Sequence, residues 1–336
     1  MTAAGTTATE GNAQMETVRC LLCGHDKSTP RVRGWDRMCG VEGEYTLSEC
    51  AHCGFLFLSP RPDADEIKRH YPADYPFYNS FFDQSDYVKS IGMYEMDKRC
   101  EAVASAVGGG RDILDIGCSV GDFLATMETR GWQPRGVEPD SGAAAYAAER
   151  HGLDVYNGFV EDAPYESASF DAVTMWEVLE HTAQPLATLR RVHDLLRPGG
   201  AVVLSVPNRS SLQSKIFGTY WIGNDFPRHY SVFSPRHMRQ ALRSAGFVDP
   251  QIVSQSGRLG AMHNEVACVL GSLDLWLRDG DGLKGTRRVV NHTVVPVLMK
   301  PAGVIPFFLV TLPASFAIRK LHRGSQMVAI AHKPAA

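Results

Sequence analysis

ILDIGCSVGDFL, Ile113 to Leu124, is the stretch whose reading decides the fold. Its first four residues are apolar apart from Asp115 and read as a buried strand. Gly117 and Gly121 then bracket a tight turn, and DFL opens a helix. A strand that turns on glycines directly into a helix is where a nucleotide-like cofactor sits in an open α/β sheet. Glycine allows close backbone approach, and the helix N-terminus aims its free N–H groups at the ligand. Further on, GVEPD (Gly136 to Asp140) ends a second strand with Glu138, whose carboxylate can accept both hydroxyls of a ribose.

Outward from this turn the pattern alternates. DILDIG, QPRGVEP, DVYNG, FDAVTMWEVLEH, AVVLSVPN and VDPQIVSQ read as strands. GDFLATMETRG, SGAAAYAAERHG, PLATLRRVHDLLRPGG and SPRHMRQALRSAGF read as the helices between them. Such alternation predicts right-handed βαβ units and a mostly parallel sheet. GSQMVAIAHKP, Gly324 to Pro334, is the last strand-like run. On the N-terminal side, a helix over about 86–107 stops at Gly108-Gly109-Gly110, and 63–82 reads as a short helix followed by an aromatic, proline-marked connector.

The chain of 336 residues divides on this reading into a polar tail (1–16), a cysteine-rich module (17–62), a helical connector (63–110), a cofactor-binding domain (111–256 and 324–336) and an apolar helical insertion (257–323). Hydrophobic content of 44% with 21% charged residues marks a globular chain. With a net charge of −3 and no long basic stripe, nucleic acid is excluded as the main partner. MTAAGTTATEGNAQ lacks the basic and apolar regions of a signal peptide, so a cytoplasmic location is expected.

Cys20-x-x-Cys23 and Cys50-x-x-Cys53 account for four of the eight cysteines. Each pair is followed by Gly, in CLLCG and CAHCG, which lets the backbone turn its N–H groups toward the sulfurs. Thiolates are soft, anionic and compact enough for four to surround zinc as a tetrahedron, and four of them leave no position for water. The expected ion is therefore structural. The competing reading is a set of buried or redox thiols. Between the pairs Tyr45-Thr46-Leu47 reads as part of a hairpin, and FLFLSPRP as a strand ended by prolines.

The ordered set DIGCSVGDFL, GVEPD, FDAVTMWEVLEH and LLRPGGAVVLSVPN resembles the successive motifs of class I S-adenosylmethionine-dependent methyltransferases over roughly residues 111–256. With the leading cysteine pairs, the chain is similar to a bacterial subgroup that carries an N-terminal zinc ribbon and includes sugar and glycan methyltransferases. The resemblance implies a seven-stranded sheet whose last strand is antiparallel and inserted beside the sixth, here GSQMVAIAHKP. It implies S-adenosylmethionine bound by Asp115, Gly117, Cys118, Gly121, Glu138 and Pro139, with Trp176 and Glu177 by its methionine end. Ser119 replaces the usual third glycine of the turn. Phe159 stands where relatives carry the adenine-binding Asp, so adenine is expected against the backbone of Phe159 and Val160, with Glu161 or Asp162 as polar contact.

Methyl transfer needs a positioned acceptor and a group to take one proton, and a histidine suits the second task. His181 ends EVLEH, and His229 lies in NDFPRHYSVFSP. The sugar C-methyltransferases carry a similar stretch with a histidine base in the frame of His229, which is favoured here as base, with Arg228 in place of their acid. His181 orders the site or is the base instead. Arg228 holds an anionic substrate group or forms a surface salt bridge, and Tyr230 and Trp221 line the acceptor pocket.

Val289 to Ile318 is almost uninterrupted apolar sequence, broken by Pro296, Pro301, Pro306 and Pro313 and flanked by Arg287, Arg288, Arg319, Lys320 and Arg323. Four prolines oppose one spanning helix. The alternatives are broken helices on an anionic membrane surface, or a buried cap or subunit face. The expectation is an S-adenosylmethionine-dependent methyltransferase acting on a hydroxyl or carbon of a small-molecule or lipid-linked sugar acceptor, with structural zinc. A non-catalytic cofactor-binding scaffold and a nicotinamide-dependent reductase are the rivals. The missing GxGxxG counts against the reductase.

Overall fold

The alternating apolar runs build a seven-stranded sheet in the computed structural model, which describes residues 15–72, 80–83, 86–255, 269, 272 and 323–336. The N-terminal part contributes β1 (Met15–Glu16), β2 (Ser28–Gly34), β3 (Tyr45–Cys50), β4 (Leu56–Leu58) and β5 (Arg61–Pro62), and α1 (Asp86–Ala106) follows. Then come β6 (Asp112–Ile116), α2 (Asp122–Glu128), β7 (Gln133–Glu138), α3 (Ser141–His151), β8 (Asp154–Asn157) and β9 (Phe170–Trp176). The chain continues through α4 (Pro185–Leu195), β10 (Leu196–Pro207), α5 (Leu212–Phe217), β11 (Ser231–Val232), α6 (Pro235–Ser244), β12 (Val248–Gln255) and β13 (Gln326–His332).

The large sheet has the order β12-β13-β10-β9-β6-β7-β8. β6 to β10 run parallel, and β13 is antiparallel to both β10 and β12. From β6 the chain winds outward to β8 and then returns to β9 on the other side of β6. That reversal is a topological switch point, and the crevice at the carboxyl ends of β6 and β9 is where an open α/β sheet takes its ligand.

Local sequence explains the element ends. Asp140 caps α3, its Oδ1 accepting from the Ala143 N–H at 2.8 Å, and Gly152 closes the helix at φ 71°. Ser234 caps α6 ahead of Pro235. Pro198-Gly199-Gly200, expected as a helix stop, instead lies inside β10, where the register with β9 shifts between Leu196 and Ala201.

One apolar cluster joins both parts of the chain: Leu47, Phe55, Phe57 and Leu58 of the N-terminal part with Leu114, Val173 and Leu204 of the large sheet. Each such buried side chain contributes roughly 1.5–3 kcal/mol. A shared strand reinforces the join. β11, from the segment after β10, pairs with β4 through Ser231↔Phe57 and Val232↔Leu56, completing a four-stranded sheet β11-β4-β3-β2. No two-residue strand of this kind has a periodicity to read in sequence.

Val289 to Ile318, the expected apolar insertion, lies outside the described residues. Among the described residues no helix is long and apolar enough to cross a membrane.

Candidate active site

The turn after β6 takes the shape its glycines imply. Gly117 (φ 69°) and Gly121 (φ 82°) are left-handed, and so is Ser119 at φ 49°. A Cβ on Gly117 would meet Val178 Cγ2 at 2.6 Å, and one on Gly121 would meet Leu153 Cδ1 at 2.6 Å. Both positions therefore require glycine on two counts, conformation and space. The Cys118 thiol is turned away from the crevice: it is buried, and a Cβ on Gly136 would lie 2.6 Å from its sulfur. What Cys118 offers a cofactor is its backbone, on the turn between Gly117 and Gly121.

Glu138, at the end of β7, is 4% exposed. Its Oε2 accepts from the Ser119 N–H at 2.8 Å and its Oε1 from the Asp140 N–H at 2.9 Å. The carboxylate thus braces the turn while each oxygen keeps a second lone pair for a ribose hydroxyl. Burial pushes its pKa up, against the two N–H donors. Asp115 is buried and accepts from Thr174 Oγ1 at 2.6 Å across the β6–β9 pair. Burial raises it to about 7. Phe159 is 63% exposed, an aromatic face presented beyond β8, whereas Val160 is buried and Pro139 is exposed.

Sequence reading missed Arg99 on α1. Its guanidinium lies 4.9 Å over the Trp176 ring, within electrostatic reach of Asp115 and Glu177. Among the described residues it makes no hydrogen bond or ion pair. Trp176 Nε1 and Glu177 Oε1 are buried and unpartnered among the same residues. Burial raises the Glu177 pKa. A glycine cradle, a buried strand-end carboxylate, and a buried guanidinium with unpartnered polar atoms beside it among the described residues fit the ribose, ammonium and carboxylate of S-adenosylmethionine. No periodicity or motif marks Arg99; a charged residue midway along a helix usually faces solvent.

On the acceptor side the structure brings His181 and His229 together, with ring centroids 4.5 Å apart and planes at 81°. His229 Nδ1 is 2.9 Å from the Gly223 carbonyl oxygen. A carbonyl only accepts, so Nδ1 carries the proton and Nε2 keeps the lone pair. His181 Nδ1 lies between the Tyr71 hydroxyl, at 3.0 Å, and the Arg228 carbonyl, at 3.2 Å: it donates to the carbonyl in one tautomer and accepts from the hydroxyl in the other. Burial holds the His229 pKa below the usual imidazole range, opposed by Asp225, and holds His181 well below it, helped by His229 and Arg228. Both rings are neutral at pH 7. Glu180 lies within the same cluster, and its ligand atom and those of the two histidines are all within 4.8 Å of one another, close enough for a shared cation. Burial and the nearby Glu177 push the Glu180 carboxyl well up.

Arg228 serves neither expectation made for it. It is 1% exposed and forms a buried node. Its guanidinium donates to Asp36 Oδ1 and Oδ2, both at 3.0 Å, and to Asp225 Oδ1 and Oδ2 at 2.6 and 2.9 Å. No substrate anion can reach a fork so occupied, and the ion pairs are internal, not superficial. Tyr230 is buried under the Arg61 guanidinium and donates to the Pro62 carbonyl at 3.5 Å. That places its hydroxyl in the interface with the N-terminal part; among the described residues no hydrogen bond joins it to either histidine. Trp221 is likewise buried.

The four expected metal ligands converge. Cys20, Cys23, Cys50 and Cys53 place their sulfurs within 4.8 Å of one another, with Cys20–Cys53 and Cys23–Cys50 both at 3.6 Å. A tetrahedron with zinc–sulfur bonds of about 2.3 Å has sulfur–sulfur edges of about 3.8 Å, so the donor set fits zinc. Gly24 (φ 73°) and Gly54 (φ 75°) make the turns expected of them. At Cys50 burial raises the thiol pKa, but the Cys53 and His52 N–H groups outweigh it and bring the value down to about 7.

A sheet of this order, its antiparallel β13 between β10 and β12 and its glycine turn facing an acidic strand end, defines the class I S-adenosylmethionine-dependent methyltransferase fold. Residues 90–252, just under half of the chain, match the family model described as a methyltransferase domain. Over 148 residues the chain is 36% identical to the ubiquinone biosynthesis O-methyltransferase of Ruegeria pomeroyi, covering 41% of this chain and 60% of that protein. The protein of the same name from Xanthomonas axonopodis is 34% identical over 165 residues, covering 45% of this chain and 66% of that one. The chain thus spans about three fifths of the length of the curated relatives it matches. Among solved structures, it is similar to a methyltransferase from Archaeoglobus fulgidus (TM-score 0.47, 19% identity, 71% of this chain and 94% of that one). Phosphoethanolamine N-methyltransferase 2 of Haemonchus contortus is another (TM-score 0.49, 17% identity, 83% and 63%).

Proposed function

We propose that this protein transfers a methyl group from S-adenosylmethionine to a hydroxyl of a small-molecule acceptor, with His229 Nε2 as the proton acceptor. One observation carries the assignment: the Gly223 carbonyl fixes the His229 proton on Nδ1, leaving Nε2 with its lone pair, 3.9 Å from Asp225 Oδ2 and next to His181. When bound, the cofactor supplies an activated methyl on a sulfonium. The chain supplies the rest. Gly117 and Gly121 admit the ligand, Glu138 holds the ribose hydroxyls and Phe159 offers a face for adenine. Arg99 takes the carboxylate, and Asp115 the ammonium, of the methionine end. His181, bonded to the Arg228 carbonyl, packs edge-on against His229 and keeps its ring in place. An acceptor hydroxyl at Nε2 loses its proton there, so the oxygen becomes nucleophilic as it forms the new bond.

O-transfer is favoured over C-transfer by the names of the relatives. A sugar or glycolipid is the narrower acceptor reading, with zinc on the four cysteines as a structural ion and a cytoplasmic protein that meets the membrane surface through 289–318. Mass analysis of methylated metabolites in a deletion strain tests the acceptor class. A single species shifted by one methyl and restored by the wild-type protein is the expected result; no change in any small molecule would favour the scaffold reading.

A further inference from the structure

The N-terminal part of the chain grips both loops that carry the histidines. On the 223–232 loop, Arg228 is forked to Asp36, and Asp36 is itself fixed from three further sides. The Met38 and Cys39 N–H groups donate to it at 3.1 and 2.8 Å, and His70 Nδ1 lies 2.6 Å from its Oδ2. His70 Nε2 in turn meets Tyr45 Oη at 3.0 Å, on β3. Two residues past His229, β11 is a strand of the same sheet as β4, and the Leu58 N–H donates to the Tyr230 carbonyl at 3.0 Å. On the other loop, buried Arg61 of β5 donates to the Ala183 carbonyl at 2.7 Å, two residues past His181.

These contacts converge on the two carbonyls that the histidine Nδ1 atoms meet. Arg228 carries the carbonyl that His181 Nδ1 meets, and Gly223, whose carbonyl holds His229, lies two residues before Asp225, the second partner of the Arg228 fork. A buried ion pair of this kind is weak evidence for stability, since desolvation offsets much of the attraction, but it does fix one arrangement. We propose that the N-terminal part of the chain, the cysteine-bearing sheet together with β5, is the positioning element for the His181–His229 pair, with Asp36, Arg228 and Arg61 as positioning residues that fix which ring nitrogen carries the proton. The proposal rests on the reading of those histidines as the acceptor side. The cysteine tetrad keeps β2, β3 and β4 in register with one another, and so holds Asp36 and the β4 edge where the loop meets them.

The test uses full-length, zinc-loaded protein labelled in its histidines, with ring-carbon NMR shifts reporting tautomers and His181→Gln and His229→Gln providing the assignments. In the wild type each ring should show a single tautomer, Nδ1–H at His229. Asp36→Asn and Arg228→Lys should give mixed tautomers at both positions and lower kcat, with zinc content and S-adenosylmethionine affinity unchanged; lysine, a point charge, cannot restore two forks. If both variants fold, keep zinc and show unaltered ring signals, the proposal is wrong. Should neither fold, Arg61→Met decides, because it removes the bond to the Ala183 carbonyl and otherwise leaves only the half-exposed Glu16 without its ion-pair partner. A moved His181 signal with His229 unmoved supports the proposal, and two unmoved signals overturn it. Should the tautomers move while His229→Ala remains active, the positioning stands and the assignment of the base fails.

Discussion

Replacing Glu138 by alanine separates a brace from a ligand. The carboxylate accepts two backbone N–H groups, from Ser119 and Asp140, at 2.8 and 2.9 Å, in a 4% exposed position. Removing a charged acceptor leaves each donor short by about 1.5–3 kcal/mol if no water enters. Both donors belong to half-buried residues, and the desolvation that raises the Glu138 pKa is relieved at the same time. A net loss of about 1–3 kcal/mol is therefore expected, seen as a drop of about 2–10 °C in Tm for a domain of this size. Loss of the ribose contacts should add a similar term to binding, or about 5–150-fold in S-adenosylmethionine affinity at 1.4 kcal/mol per decade. Glu138→Gln, which keeps one acceptor oxygen, should lose about half as much on each count. Calorimetric titration with the cofactor, paired with thermal melts, measures both. If Glu138→Ala melts earlier yet binds the cofactor as tightly as the wild type, the carboxylate only braces the turn and its ribose role is refuted.

Three further outcomes follow from the same geometry. Cys50→Ser should lose zinc and destabilise the N-terminal sheet, because metal binding and folding are coupled; one equivalent of zinc by atomic emission in that variant would contradict a four-thiolate site. His229→Ala should lower turnover by about 10²–10⁴ while leaving cofactor affinity intact; a dead His181→Ala beside an active His229→Ala would exchange their roles. Asp115, raised to about 7 by burial, is mostly protonated in the free protein at pH 6.5. A bound cation favours its ionised form, so cofactor binding at that pH should release a proton, whereas Asp115→Asn should release fewer. Calorimetry in buffers of different ionisation enthalpy counts the protons, and equal release by both proteins would show that Asp115 does not face the cofactor.

Much of the fold was legible because its signals are local. A strand, a glycine turn and a helix lie within Ile113–Leu124, and the alternation of apolar runs around them requires a parallel sheet whatever the rest of the chain does. The left-handed φ of Gly117, Gly121, Gly24 and Gly54 is a property of single residues, and the cysteine spacing already contains half of a metal site in each turn. The acceptor side was legible only as a set of residue types. Sequence placed a histidine in each of two loops, but whether their rings meet, and at which nitrogen each is basic, depends on the carbonyls of Gly223 and Arg228. Those carbonyls are positioned by contacts between residues far apart in the chain.

Arg228 shows the difference most clearly. Beside His229 in sequence it reads as a substrate clamp, since an arginine near a catalytic loop usually faces the ligand. In the folded chain Asp36, 192 residues away, and Asp225 enclose it, and it becomes the hinge pin of the loop instead. Arg99 is the reverse case, an unremarked charge on a helix that folding buries beside Trp176 and Glu177 without a hydrogen bond among the described residues. By itself the sequence determined the sheet, the glycine turn and the set of four cysteines whose sulfurs converge, because periodicity, glycine conformation and thiol spacing act over a few residues. Only the tertiary structure decided which charges are neutralised internally, which remain for a ligand, and where each histidine keeps its proton, because burial and partnership are relations between distant parts of the chain.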